Sequence, residues 1–282
     1  MMLPWPRLVL DTSVFRGATP DNLAALAATG ARISVARGAL NELWRASTRD
    51  GKPGLLFQRV AKLAPLVDPM IPVTPGGREL TQLIVANADE RPSCMEHLAE
   101  LRHVWEGLVE GRCSYDEWRR VGADIEQFYA RDTVAATMNA MTRPAGDRSF
   151  EATFEFARRN LGPRRLSNGR RPPKLFGTRC DALDRVLALR ATLHAINPKS
   201  QPRREDNDTE DARMLHQVAL PAVLVIDDAE LVRDVRKSGS YQTAWVRTLE
   251  QVRRFGIPDG LPWGPKAKRQ SQRWSDIIEA LE

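Results

Sequence analysis

The residues of this chain best suited to chemistry are carboxylates at the ends of apolar runs. Asp11 follows Arg7-Leu8-Val9-Leu10, and Asp227-Asp228 follow Ala222-Val223-Leu224-Val225-Ile226. Glu42 stands in Asn41-Glu42-Leu43. Asp208 and Asp211 are three residues apart, which makes them neighbours on one face of a helix. Such acids cannot all stay ionised if they converge, because two carboxylates about 4 Å apart repel by roughly 4 kcal/mol at an effective dielectric of 20. A hard divalent cation, Mg2+ or Mn2+, relieves that repulsion. A cation held this way lowers the pKa of bound water and stabilises a phosphate transition state. Taken singly, each acid also has a plain reading, since Asp is common at helix caps and turns.

The elements that must position these acids alternate at both ends of the chain. Arg7–Leu10 reads as a buried parallel strand and Ile33–Val35 as a second. Thr19 followed by Pro20 is a helix start, and Gly30 marks the end of that helix. Gly38–Ala46 reads as a helix with Leu40, Leu43 and Trp44 on one stripe. Near the other end, 206–220 reads as a helix opened by acids, 222–226 as a strand and 229–235 as a short helix. Residues 241–246 are expected as a strand and 249–255 as a helix.

The middle of the chain reads differently. From Pro92, residues Met95, Leu98, Leu101, Trp105 and Leu108 keep helical spacing up to Gly111. Ser114 with Glu117 makes a capping-box pattern ahead of Trp118, Val121, Ile125 and Phe128. Residues 181–196 return to helix. The aromatics Tyr115, Trp118 and Tyr129 could stack bases, but their helical spacing favours core packing. The expected architecture is therefore α/β, a three-layer α/β/α core with a parallel sheet, interrupted by a large helical insertion. Residues 1–75 together with 201–260 form the core, 76–200 the mainly helical insertion, and 261–282 a basic tail with a short amphipathic helix.

Composition narrows the function classes. The chain has 282 residues and a net charge of +6. Residues 151–205 carry 13 Lys/Arg against 5 Asp/Glu, so this segment exceeds the whole chain's basic excess. Arg164, Arg165, Arg170, Arg171 and Lys174 cluster there, around Asn168-Gly169 and Pro172-Pro173. This cluster is the expected nucleic-acid-binding arm, with an ordinary solvated loop as the other reading. No apolar run approaches the roughly 18–20 residues of a membrane span, so no membrane role is expected. The opening Met-Met-Leu-Pro-Trp-Pro-Arg lacks a signal-peptide pattern, and the three cysteines, Cys94, Cys113 and Cys180, form no CxxC pair. A reducing cytoplasm is the expected compartment. No phosphate-binding GxxxxGK[ST], HExxH or GxSxG motif is present.

Four pieces in order, Leu8-Val9-Leu10-Asp11-Thr12-Ser13, Asn41-Glu42-Leu43, Asn207-Asp208-Thr209-Glu210-Asp211-Ala212 and Val223-Leu224-Val225-Ile226-Asp227-Asp228, resemble the PIN domain family of metal-dependent nucleases. The match spans residues 7–45 and 205–235; Ile226 stands where members of the family carry Thr or Ser. The resemblance implies catalytic acids Asp11, Glu42, Asp211 and Asp228, with Asp208 and Asp227 as further ligands of Mg2+ or Mn2+. It implies that Ser13 or Thr12 orients the Asp11 carboxylate or a metal-bound water, with Asn207 among the supporting polar groups. The implied activity is hydrolysis of phosphodiester bonds, in RNA by preference. Two other readings stand beside it: a non-catalytic RNA-binding or scaffolding protein on a decayed nuclease fold, and the toxin half of a two-component pair. An inhibitory protein partner and a homodimer are the corresponding partner expectations.

Overall fold

The computed structural model describes residues 7–17, 19–49, 53–76, 91–120, 149–161, 181–196, 212, 214–259 and 262. Its centre is a five-stranded, all-parallel sheet in the order β3-β2-β1-β4-β5. The strands are β1 (Arg7–Leu10), β2 (Ile33–Ala36), β3 (Val73–Thr74), β4 (Ala222–Val225) and β5 (Val246–Arg247). Leu8, Val9 and Leu10 in β1 and all of β4 are fully buried. A parallel strand covered on both faces must be apolar throughout, which is why these runs show no alternation.

Helices α1 (Thr12–Arg16), α2 (Pro20–Ala27), α3 (Arg37–Arg49) and α4 (Pro53–Leu63) occupy the first part of the chain. Thr19 caps α2, its hydroxyl accepting the Asn22 N–H at 3.3 Å, with Pro20 in the first turn. Next come α5 (Arg91–Val109), α6 (Tyr115–Arg120), α7 (Phe150–Leu161) and α8 (Asp181–Ile196). Ser114 and Glu117 form the expected capping box, with the Ser114 N–H donating to Glu117 Oε2 at 2.7 Å and the Glu117 N–H to Ser114 Oγ at 3.2 Å. The chain then adds α9 (Ala229–Lys237) and α10 (Leu249–Phe255). The parallel sheet with its packed helices is compatible with a three-layer α/β/α arrangement.

The described helices of the middle region share the main core. Leu98, Leu101, Trp105 and Leu108 of α5 and Leu183 and Val186 of α8 belong to the same buried cluster as β1, β2 and β4. Contact between α7 and α8 adds only a small second cluster, Ala157, Ala188 and Ala191 with Phe154 against it.

Two local expectations are corrected. Residues 241–246 are not a strand: a 3-10 turn spans Thr243–Trp245, and β5 starts only at Val246. Local side-chain bonds explain this, since Ser240 Oγ accepts the Gln242 N–H and Thr243 Oγ1 donates back to the Ser240 carbonyl at 2.6 Å. Residues 214–219, expected as α-helix, form a buried 3-10 helix.

Candidate functional site

The sheet order puts β1 at its centre, with β2 on one side and β4 on the other. Chain connections diverge there, and ligands of open parallel sheets bind at such a switch point, beyond the carboxyl ends of the strands. Asp11 lies just past β1 and Asp227 just past β4. The pairing of Leu10 with Val225, continued by the Asp11 N–H donating to the Val225 carbonyl at 3.0 Å, fixes the two strand ends level with each other.

Ser13 joins the two acids. The Ser13 hydroxyl donates to Asp11 Oδ2 at 2.8 Å and accepts the Asp227 backbone N–H at 2.7 Å. The Ser13 N–H also donates to Asp11 Oδ2, at 3.1 Å, so Asp11 is the N-cap of α1. The neighbouring Thr12 is buried and hydrogen-bonds the Ala39 carbonyl of α3 at 3.4 Å, which sets α3 against the site. The Asp227 carboxylate lies over Gly17, where a Cβ would come within 3.6 Å of Oδ2.

Burial pushes the Asp11 carboxyl above its ordinary range. Its bonds with Ser13 and Thr12 pull the other way, while the charge of Glu42 pushes it up further. Asp11 is 8% exposed, and Glu42 is exposed on α3. Glu42 is thus close enough to act electrostatically on Asp11.

Asp227 and Asp228 are placed differently. Asp228 caps α9: its Oδ1 accepts the N–H groups of Glu230 at 2.8 Å and Leu231 at 3.1 Å. Like Asp11, Asp228 is an N-cap, engaged through Oδ1, while Asp227 is tied to Ser13 through its backbone N–H and its side chain is exposed. Ile226 is buried in the core, so its side chain belongs to the packing under the site.

Asn207, Asp208 and Asp211 lie outside the described residues, as do Arg164, Arg165, Arg170, Arg171 and Lys174. Ala212, next to Asp211, is fully buried, and Met214 packs on α3, its sulfur within 2.8 Å of where a Gly38 Cβ would stand. Gly38 therefore lets the segment after Asp211 approach the helix that carries Glu42. Among the described residues, no three His, Cys, Asp or Glu side chains form a group able to hold a metal ion.

Of the three aromatics, Trp118 is buried and its indole N–H donates to Asn41 Oδ1 at 2.5 Å. Tyr115 departs from the core expectation: it is exposed and stacks on Trp44. Tyr129 is outside the described residues. No helix among the described residues is long and apolar enough to cross a membrane. Comparison with known proteins finds no matching family model, no matching curated protein and no matching solved structure.

Proposed function

We propose that this protein is a PIN-like, divalent-metal-dependent nuclease that hydrolyses phosphodiester bonds, with RNA as the favoured substrate. One observation carries the reading: Asp11 and Asp227 stand level at the ends of adjacent central parallel strands, where the Ser13 hydroxyl links the Asp11 carboxylate to the Asp227 backbone N–H. From α3, the charge of Glu42 acts on Asp11.

The donor chemistry fits Mg2+ or Mn2+, since every candidate ligand is a hard oxygen. A desolvated Asp11 carboxylate with the Glu42 charge acting on it is ionised more readily beside a cation than alone. Asp11, Glu42 and Asp227 do not by themselves form a group able to hold the ion; the proposed ligand set is completed by Asp208 and Asp211. A cation bound there supplies an activated water and charge for the phosphoryl transition state. Ser13 fixes the direction of the Asp11 carboxylate, and Thr12 fixes α3 relative to it. The preference for RNA rests on the resemblance of the sequence motifs.

The test is cleavage of an end-labelled single-stranded RNA and its DNA counterpart by wild type and Asp11→Asn, in Mg2+, in Mn2+ and in EDTA. Cleavage by wild type that EDTA and Asp11→Asn both abolish supports the reading. Full metal-dependent activity in Asp11→Asn overturns it, as does RNA binding without turnover in either metal, which is the outcome a scaffold predicts.

A further inference from the structure

Tyr115 opens α6 with 44% of its surface exposed, unlike the buried Trp118 one turn on. One face of the Tyr115 ring lies on Trp44, with centroids 5.6 Å apart and planes inclined by 18°. Trp44 is itself buried and held edge-on by Phe57 at 6.1 Å and 89°. The backing is therefore rigid.

The helix that carries Tyr115 is also held. Trp118 bonds to Asn41, the Arg37 guanidinium lies 5.6 Å from the Trp118 ring centre, and the Ser114–Glu117 capping box fixes the start of α6. A flat π surface presented on a fixed support costs a stacking partner little ordering entropy. An exposed aromatic of this kind is what an unpaired base needs, because every base has a π-face.

Its place relative to the acids matters. Trp44 and Glu42 are both on α3, two residues apart, which is about 3 Å along the axis and about 200° around it. The stack therefore lies outside the acid site, on nearly the opposite side of α3 from Glu42. Local charge is mixed. Arg45 and Arg120 are exposed on the same two helices, while Asp116 is exposed next to Tyr115 and Glu117 is bound into its cap. Such a neighbourhood suits a stacking contact better than a phosphate clamp.

We infer that Tyr115 is a substrate-positioning residue, a platform for one unpaired base of a single-stranded nucleic acid whose scissile phosphodiester lies at Asp11. This rests on the nuclease reading and narrows its substrate class. A duplex is excluded from the contact, since its neighbours already cover both faces of each base.

The test uses a short single-stranded RNA containing 2-aminopurine, whose fluorescence falls when the base stacks. Binding is measured in EDTA, so that no cleavage intervenes, and each variant is first shown folded by circular dichroism. Wild type quenches the probe. Tyr115→Phe keeps the π-face and binds as wild type. Tyr115→Ala and Tyr115→Leu bind about tenfold more weakly and lose the quench, the order expected for one base–aromatic stack. Phe255→Ala, which removes an exposed ring elsewhere, changes neither. A duplex of the same sequence gives no quench.

Wild-type binding and quench in Tyr115→Ala overturn the proposal, as does their retention in Tyr115→Leu, since the ring would then serve only to cover Trp44. Failure of wild type to bind the single strand overturns it as well. Tyr115-dependent quenching without metal-dependent cleavage would leave the platform standing and remove the nuclease reading. Cleavage with an unchanged KM in Tyr115→Ala would do the reverse.

Discussion

The Ser13 hydroxyl accepts the backbone N–H of Asp227 at 2.7 Å across a separation of 214 residues, while donating to Asp11 Oδ2 at 2.8 Å. On strand ends already held level by the β1–β4 pairing, one small side chain thus ties the Asp11 carboxylate to the backbone of Asp227. Removing it should loosen the site without unfolding the core. Ser13→Ala is expected to weaken Mn2+ binding by roughly 10–100-fold, the usual cost of losing a group that orients a metal ligand. Ser13→Thr, which keeps the hydroxyl, should stay close to wild type. Isothermal calorimetry with Mn2+ checks both, and equal loss in the two variants would deny the hydroxyl this role.

Asp11 carries a proton-linkage consequence. Burial raises its folded-state pKa above the unfolded value, so the folded chain holds a proton there that the unfolded chain has lost. Without a cation, the group costs stability as pH rises above the ordinary Asp range and through the raised value. Asp11→Asn removes that cost. In EDTA the variant should melt at a higher temperature than wild type near neutral pH, and the difference should shrink on acidification. In wild type, cation binding should release protons and strengthen as pH rises. Melting curves over a pH series, with Mn2+ titrations in two buffers of different ionisation enthalpy, read both effects.

Asp227 and Asp228 are neighbours with separable tasks. Asp228 accepts two N–H groups at the start of α9, so Asp228→Ala should cost about 0.5–2 kcal/mol of stability. Asp228→Asn keeps a good cap and removes the charge, and should retain most of that stability. Asp227→Asn should leave the melting temperature nearly unchanged and reduce Mn2+ affinity more than Asp228→Asn does. If Asp228→Asn abolishes Mn2+ binding and Asp227→Asn does not, the two assignments are exchanged.

What the sequence disclosed about this fold follows the range of the interactions involved. β1 and β4 are visible as apolar runs because both faces are buried, and that places Asp11 and Asp227 at strand ends. Thr19 and the Ser114–Glu117 pair are visible because a cap acts over three residues. β3 is two residues long and has no pattern to detect. α1 is five residues whose start coincides with the candidate ligand Asp11, so cap and ligand look alike in the sequence. The Ser13–Asp227 bond is long-range, and spacing contains nothing of it. Tyr115 and Trp118 share one helical spacing, and only packing against Trp44 and Asn41 separates the exposed ring from the buried one.

Asp184 offers a measurement independent of the candidate site. It lies on α8 one turn after Asp181, whose Oδ2 accepts from Ser240 Oγ at 2.7 Å. Burial, reinforced by the Asp181 charge and opposed by Arg158, pushes its carboxyl up to about 7. An unfolded Asp titrates near 3.9. Below about pH 4 both states are protonated and Asp184 has no effect on stability. Between about pH 4 and pH 7 the folded state keeps a proton that the unfolded state has lost, so stability falls as pH rises. Above about pH 7 the loss is complete, with an upper limit of about 4 kcal/mol for a shift of roughly three units. Asp184→Asn keeps the shape without the charge. Its stability in urea should match that of wild type near pH 4, exceed it increasingly up to pH 7, and hold a constant margin beyond. A margin that does not change with pH would show that Asp184 is ionised in the folded protein throughout.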